Sequence, residues 1–454
     1  MTVRVERNGS RRLRIAALAG TAVVALVLSA CGSKGGDAST STASTPAAVS
    51  AGVSVASSGA GGASSAMSGA SSAMSGGASS AMSGASSAMS GASSGASSMA
   101  PSSESSDTAG SAATGGGSST APSSAAALPT GPVTVPAGFK ACMVTDTGGI
   151  DDKSFNQSAW AGLSTITGGE KSQYVQSKAE SDYPPNINSL ISQKCSLLFT
   201  VGGLMADATT AAAKANPKQD FVGIDFPGNG KNVKGLQYNT AQAGMMAGYL
   251  AAGYSKSGVV ATYGGLKIGP VTIYMDGFAQ GIDIYNKDKS KNVKLLGWDP
   301  KAQTGSFAGS FTDQNKGKQL ANNFIQQNAD VIFPVAGGTG LGSAAAAQAA
   351  GDTSVIWVDS DSVLSAPQYS GVFLATAEKN ITGTVKLAVQ SASTGKFDAT
   401  DYVGTLANGG VGLSPYHDSD SKVSADLKAG VQQLKADIIS GKVTATSPAQ
   451  PKTN

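Results

Sequence analysis

The residues with the most chemical character in this 454-residue chain stand directly after short apolar runs. Lys140–Thr145 is followed by DTGGIDDKSFNQSAWAGL, which opens with Asp146 and carries Phe155 and Asn156. Leu197–Val201 is followed by Gly202, Gly203 and Asp207, and Phe221–Ile224 by Asp225. Val331–Val335 leads into the glycine-rich Ala336–Gly342, and Val355–Val358 into Asp359 and Asp361. Carboxylates accept hydrogen bonds from hydroxyl and amino groups, an asparagine amide both donates and accepts, and phenylalanine offers a flat apolar face. That set suits the binding of a neutral polar molecule with a planar part. It does not suit nucleophilic catalysis. The single histidine, His417, lies in the polar run PYHDSDS and reads as a surface-loop residue. One histidine excludes a His-cluster metal site, and a Ser-His-Asp triad would have to use His417 itself. The pair Asp151 and Asp152 reads as charge and capping at a helix N-terminus. No catalytic group, metal or cofactor is expected.

Charge narrows the ligand class. From residue 139 onward there are 26 lysines against 25 acidic residues and no arginine. A near-neutral balance argues against a nucleic-acid partner, which calls for a basic stripe. Arginine is the usual bidentate clamp for phosphates and carboxylates, so its absence points away from a tightly held nucleotide or amino acid.

Residues so placed need a scaffold that ends many strands at one level. Lys140–Thr145, Leu197–Val201, Phe221–Ile224, Val259–Tyr263, Val331–Val335, Val355–Val358 and Val372–Ala375 are strand-sized. Helical patterns lie between them at Ser158–Ile166, Ala206–Ala215, Ala241–Ala252, Gly317–Gln327 and Ser343–Ala350. Strand–helix alternation predicts an α/β fold with parallel sheets covered on both faces. Ligands in such folds bind beyond the C-terminal strand ends. Cys142 lies in the first strand and Cys195 just before the strand at Leu197. In the common doubly wound order these strands are neighbours, so a disulfide is allowed, with two buried thiols as the alternative.

The stretch DTGGIDDKSFNQSAWAGL resembles the basic membrane lipoprotein family, the PnrA-like purine nucleoside substrate-binding proteins of ABC transporters. The resemblance continues through ESDYPPNINSL, VGGLMADAT, GSFTDQNKGKQLA, ADVIFPVAGGTGLG and VDSD, over nearly all of 139–445. It implies a type I periplasmic-binding-protein fold: two doubly wound lobes with parallel sheets, a three-stranded hinge, and ligand in the cleft. Lobe I is expected at 139–261 plus about 376–408, lobe II at 262–375 plus about 409–445, and a disordered tail at 446–454. The resemblance implies a purine nucleoside as ligand, ABC permease and ATPase subunits as partners, and no enzymatic activity; a monomer is expected. Phe155 and Phe311 match its two stacking positions, one from each lobe. Asp146 and Asn156 match positions near the base, and Asp225 and Asp359 are counterpart carboxylates of the two lobes. Lys379 matches a family lysine, although Ala375 and Thr376 stand where the family writes Thr-Ser. The chemistry agrees: a nucleoside is uncharged, and each stacked base is worth roughly 1–3 kcal/mol. Trp160, five residues after Phe155, reads as core packing, and Trp298 and Trp357 have no motif support.

The N-terminal part reads as an address and a tether. Arg4, Arg7, Arg11, Arg12 and Arg14 precede an apolar Ile15–Val27, too short to span a bilayer. Leu28-Ser29-Ala30-Cys31 resembles a bacterial lipobox, which implies removal of residues 1–30 and acylation of Cys31. The protein would then sit on the outer face of the cytoplasmic membrane, attached through lipid alone. No aromatic residue precedes Phe139, and 31–138 is mostly Ser, Ala, Gly and Thr with four ASSAMSG units. Such a chain buries too little apolar surface to offset its ordering entropy, so a flexible tether with an r.m.s. span of roughly 50–60 Å is expected. The alternatives are a receptor for a sugar or other small metabolite, and a ligand-sensing surface lipoprotein not coupled to transport.

Overall fold

A computed structural model describes residues 127–452. The expected leader, the acylation site at Cys31 and most of the 31–138 tether lie outside the described residues. The chain runs from β1 (Ala141–Thr145) and α1 (Phe155–Ser164) through β2 (Gln173–Val175), α2 (Tyr183–Ser192), β3 (Leu197–Val201), α3 (Ala206–Ala215), β4 (Asp220–Ile224) and β5 (Val233–Tyr238). Next come α4 (Thr240–Tyr254), β6 (Val259–Gly264), α5 (Gly269–Lys289), β7 (Lys294–Leu296), the short pair β8 (Trp298–Asp299) and β9 (Thr304–Gly305), and α6 (Gln314–Gln326). Then follow β10 (Val331–Val335), α7 (Gly340–Ala350), β11 (Ser354–Asp359), α8 (Ser362–Ser365) and β12 (Phe373–Lys379). The chain finishes with α9 (Ile381–Ala392), β13 (Tyr402–Gly404), β14 (Val411–Leu413) and α10 (Ala425–Ile439).

The strands form two six-stranded sheets, ordered β13-β5-β4-β3-β1-β2 and β14-β12-β11-β10-β6-β7. Strands β1, β3 and β10 are buried at every position, which is why they read as unbroken apolar runs rather than alternating ones. The two orders are the same order repeated. β4 in the first sheet corresponds to β11 in the second, and β5 to β12. All pairings within the two sheets are parallel except that β14 runs antiparallel to β12. The sequence predicted only parallel pairing. The exception arises because the chain re-enters the second sheet from the hinge side and runs back along β12.

Three segments cross between the sheets, at Asn239, at Asn380 and at 405–410. Asn239 N donates to Gly404 O at 2.8 Å, and Asn380 N to Gly410 O at 2.9 Å, so the crossings are bonded to each other. Each of the first two crossings carries a helix to the other side. α4 follows a first-sheet strand but packs on the second sheet, and α9 follows β12 but packs against α1. The lobe limits therefore differ from those expected: lobe I ends near 239 rather than 261, and Thr376–Lys379 belong to the second sheet. The folded part also starts earlier than 139, because Val133 and Val135 are buried and Thr134 pairs with Thr167. Nor is 446–452 loose: Thr446 N donates to Gln280 Oε1 at 3.0 Å.

Cys142 and Cys195 are joined by a disulfide, with their Cα atoms 5.9 Å apart. It forms because β1 and β3 are adjacent. In lobe II, α4 and α5 approach backbone to backbone. A Cβ on Gly248 would collide with Phe278 O, and one on Gly281 with Met245 O. Gly244 and Gly277 stand in the same relation to Tyr274 O and Ala241 O. Replacing glycine by alanine inside an exposed helix stabilises it by about 1 kcal/mol. Here the sign should reverse. Gly248→Ala is expected to destabilise the domain by about 1–3 kcal/mol, read as a lower urea midpoint at unchanged slope.

Candidate functional site

The C-terminal ends of both sheets face one cavity, placed where ligands bind in folds of this kind. Its lining includes Asp146, Phe155, Asn156, Asp225, Phe311, Asp359 and Lys379, so the structure brings all seven sequence-predicted residues together. Asp225 follows β4 and Asp359 ends β11, the corresponding places in the two lobes. Both have positive φ, 70° and 69°. Non-glycine residues adopt that conformation at a cost, and aspartate is among those that tolerate it. It turns each chain sharply at the strand end and leaves the carboxylate facing the cleft.

Lys379 is the last residue of β12, one position before a hinge crossing. Its side chain is 3% exposed, and Nζ lies 2.8 Å from Asp225 Oδ2 and 3.6 Å from Asp359 Oδ1. The ammonium sits 4.8 Å from the centre of the Phe155 ring and 5.4 Å from that of Tyr238. Burial works against its charged form. The carboxylates of Asp225 and Asp359 outweigh that and hold its pKa above the ordinary lysine value. Asp359 Oδ2 also accepts from Ser154 Oγ at 2.7 Å, and Oδ1 from Tyr274 OH at 3.2 Å.

Asp152 organises the entrance to α1. Its oxygens accept from the backbone N–H groups of Ser154, Asn156 and Gln157 at 3.1, 2.7 and 3.1 Å. This is the capping read from the sequence, supplied by Asp152 alone, since Asp151 points to solvent with 88% of its side chain exposed. The cap fixes Asn156, whose Nδ2 donates to Asp146 Oδ1 at 2.9 Å and Asp152 Oδ2 at 3.2 Å. With two carboxylates around the amide nitrogen, the orientation is set. Asn156 Oδ1 is buried and accepts no hydrogen bond from the protein.

Phe311 lies on the loop before α6. Its carbonyl accepts from Thr339 N at 3.0 Å, within the glycine-rich segment after β10. A Cβ on Gly265 would run into the Phe311 ring, so the loop fits only because that position is bare. The lobes meet above the cavity. Lys153 O accepts from Trp357 Nε1 at 3.2 Å and Ser360 Oγ at 3.0 Å, and Ser154 Oγ donates to Val358 O at 3.1 Å.

Tyr274, Ile268 and Val271 also line the cavity, and the sequence reading missed them. They belong to or precede α5, whose glycines at 269, 277 and 281 hid its helical pattern. The paired glycines at the end of β6, Gly264 and Gly265, were the signal available. Trp160 is outside the cavity and meets Tyr174 edge-on at 4.8 Å. Trp298 and Trp357 are buried. His417 is not a free loop residue: its Nε2 lies 2.7 Å from Asp361 Oδ2, because the segment His417–Lys422 folds as a short helix against β12, where Ser419 Oγ donates to Phe373 O.

Burial raises Asp146 from 3.8 to about 6, partly offset by the hydrogen bonds from Asn156 and Gly148. Burial likewise raises Asp152 to about 7, against three backbone donors. Both folded values exceed the unfolded one. The native state therefore binds more protons than the unfolded state between about pH 4 and 7, and these groups' contribution to stability is lost as pH rises through that window. Asp146→Asn can keep both bonds to Oδ1 while removing the titration. Across denaturation curves from pH 4 to 7 its stability should fall less steeply than that of the parent. Parallel slopes would mean that Asp146 titrates normally.

A family model described as ABC transporter substrate-binding protein PnrA-like matches residues 139–446. The ABC transporter nucleoside-binding protein BmpA of Lactococcus lactis subsp. cremoris is 32% identical over 339 residues, covering 69% of this chain and 90% of that protein. A CD4+ T-cell-stimulating antigen of Listeria monocytogenes is 31% identical over 333 residues, covering 67% and 87%. Among solved structures, an ABC transporter system solute-binding protein from Aeropyrum pernix K1 shares the fold at a TM-score of 0.60 and 22% identity, covering 68% of this chain and 94% of that one. Two like-ordered lobes, three crossings and one shared cavity agree with the sequence match, and the chain belongs to the PnrA-like family of ABC transporter substrate-binding proteins.

Proposed function

We propose that this substrate-binding protein captures a purine nucleoside between its lobes and delivers it to an ABC permease and its ATPase. It works as a monomer outside the cytoplasmic membrane, held by acyl chains on Cys31. No helix among the described residues is long and apolar enough to cross a membrane. The observation that carries the reading is the pair Phe155 and Phe311, which come from different lobes and line one cavity. A flat base between them contacts both lobes at once, so its binding energy favours the closed form. Asn156 Oδ1 offers an oriented acceptor to a ring N–H or exocyclic amino group. Asp225 and Asp359 keep lone pairs beyond those used by Lys379, Ser154 and Tyr274, and ribose hydroxyls are suitable donors to them. Net charge in the cavity is already balanced in part by Lys379, which suits an uncharged guest. The lactococcal relative's description as nucleoside-binding points the same way.

Thermal shift with adenosine, guanosine, inosine, cytidine, uridine, free bases, ribose and glucose tests this directly. Ligand that binds only the native state raises the melting temperature by mass action. Purine nucleosides should shift it, and ribose or bases alone should not. A shift with sugars alone would sink the nucleoside reading in favour of a sugar receptor. Phe155→Ala and Phe311→Ala should each weaken nucleoside binding by about 1–3 kcal/mol in calorimetric titration. Unchanged affinity in both would refute the stacking model.

A further inference from the structure

The chain beyond Ala445 lies along the second lobe instead of leaving it. Ala445 is buried. Thr446 exchanges hydrogen bonds with the Gln280 side chain through its N–H and its carbonyl. Ser447 Oγ donates to Asp276 Oδ2 at 2.6 Å. Asp276 is itself 1% exposed, and its other oxygen accepts from Trp298 Nε1 at 2.9 Å and Gln303 Nε2 at 2.8 Å. A buried carboxylate needs its donors, so Ser447 is a specific anchor. From there the segment reaches the first turn of α5, with Ala449 Cβ 3.4 Å from where a side chain on Gly269 would begin.

Its far end reaches the gap between the lobes. Ala449 and Pro451 line a second opening, together with Phe226 and Pro227 from the first lobe and Ile273 from the second. This opening shares Asp225, Pro270 and Lys379 with the main cavity, so the central ion pair stands between the two spaces. The family match ends at 446, which leaves 447–452 outside the region common to the family.

We propose that 446–452 is a strap that covers a side exit of the ligand cavity and slows escape of ligand from the closed form. Its composition fits that work. Pro448 and Pro451 lower the entropy lost on ordering, and the anchoring bonds are few enough to release. The proposal rests on the cavity being the ligand site, but not on the ligand being a nucleoside.

The test compares the full chain in detergent with a chain ending at Ala445 and with Ser447→Ala. Inosine is loaded, and its release is followed after a chase. The truncated chain should release inosine at least fivefold faster and Ser447→Ala at least twofold faster, with association rates within twofold of the parent. If truncation lowers the melting temperature enough to unfold the protein, Ser447→Ala carries the test. Where inosine binds, equal release rates overturn the strap while leaving the nucleoside reading intact. If inosine binds none of the chains, the nucleoside reading is judged by the thermal-shift panel, and a ligand-independent readout decides the strap. In that case Ile268→Cys, which lines the main cavity and is only partly buried, is alkylated with iodoacetamide in the long and short chains. Faster labelling of the short chain supports the strap, and equal labelling overturns it.

Discussion

The ammonium of Lys379 stands where the second sheet ends and the hinge begins, and carboxylates of both lobes neutralise it. Asp225 belongs to the first lobe and lies 2.8 Å away, while Asp359 belongs to the second and lies 3.6 Å away. A charge so deeply buried is tolerated only while its partners stay in place, since loss of one partner leaves an uncompensated charge. Separation of the lobes removes Asp225 and must be matched by hydration of the ammonium. Closure and desolvation are therefore one event at this point. The aromatic rings of Phe155, Tyr238 and Tyr274 around the ammonium supply favourable contact without adding a further charge.

The lobes themselves are built to resist deformation. In lobe II, α4 and α5 touch through glycines at backbone distance, and α4 is buried on nearly all its faces. Each lobe holds a helix that follows a strand of the other, α4 in one and α9 in the other. A lobe cannot move without carrying a helix whose root lies across the hinge. Bending is thereby concentrated in the three short crossings.

Much of the site was legible in the sequence, and the reason is physical. Strands buried on both faces appear as apolar runs, and the residues just past each run lie by topology at the ligand-binding edge of the sheet. Asp146, Asp225 and Asp359 could be located that way without knowing the partners. Phe311 could not, because its loop precedes a helix rather than ending a strand, and only the family motif marked it. The partners themselves were hidden. That Lys379 pairs with Asp225 depends on residues 154 positions apart, and the role of Tyr274 depends on a glycine-rich helix whose pattern is masked by close packing. Edge strands β2, β7, β13 and β14 are three residues long, too short for any periodicity to register. The limits of the fold escape the sequence at both ends for different reasons: Val133 and Val135 sit in a stretch otherwise poor in large apolar groups, while Thr446 and Ser447 dock through hydrogen bonds to Gln280 and Asp276 that no apolar pattern announces.

The repeated strand order gives the molecule an approximate twofold relation between lobes. Tyr238-Asn239 at the end of β5 answers Lys379-Asn380 at the end of β12, and Asp225 answers Asp359. The relation fails where it matters chemically. One lobe places a lysine at a position where the other places a tyrosine, and Asn156 with its paired aspartates stands on one side only. The cavity therefore has two chemically different ends, though its frame is nearly symmetric. A guest turned through half a revolution would meet the wrong groups at both ends, so the same broken symmetry that sets the charge also fixes the direction in which a guest must face when the lobes part.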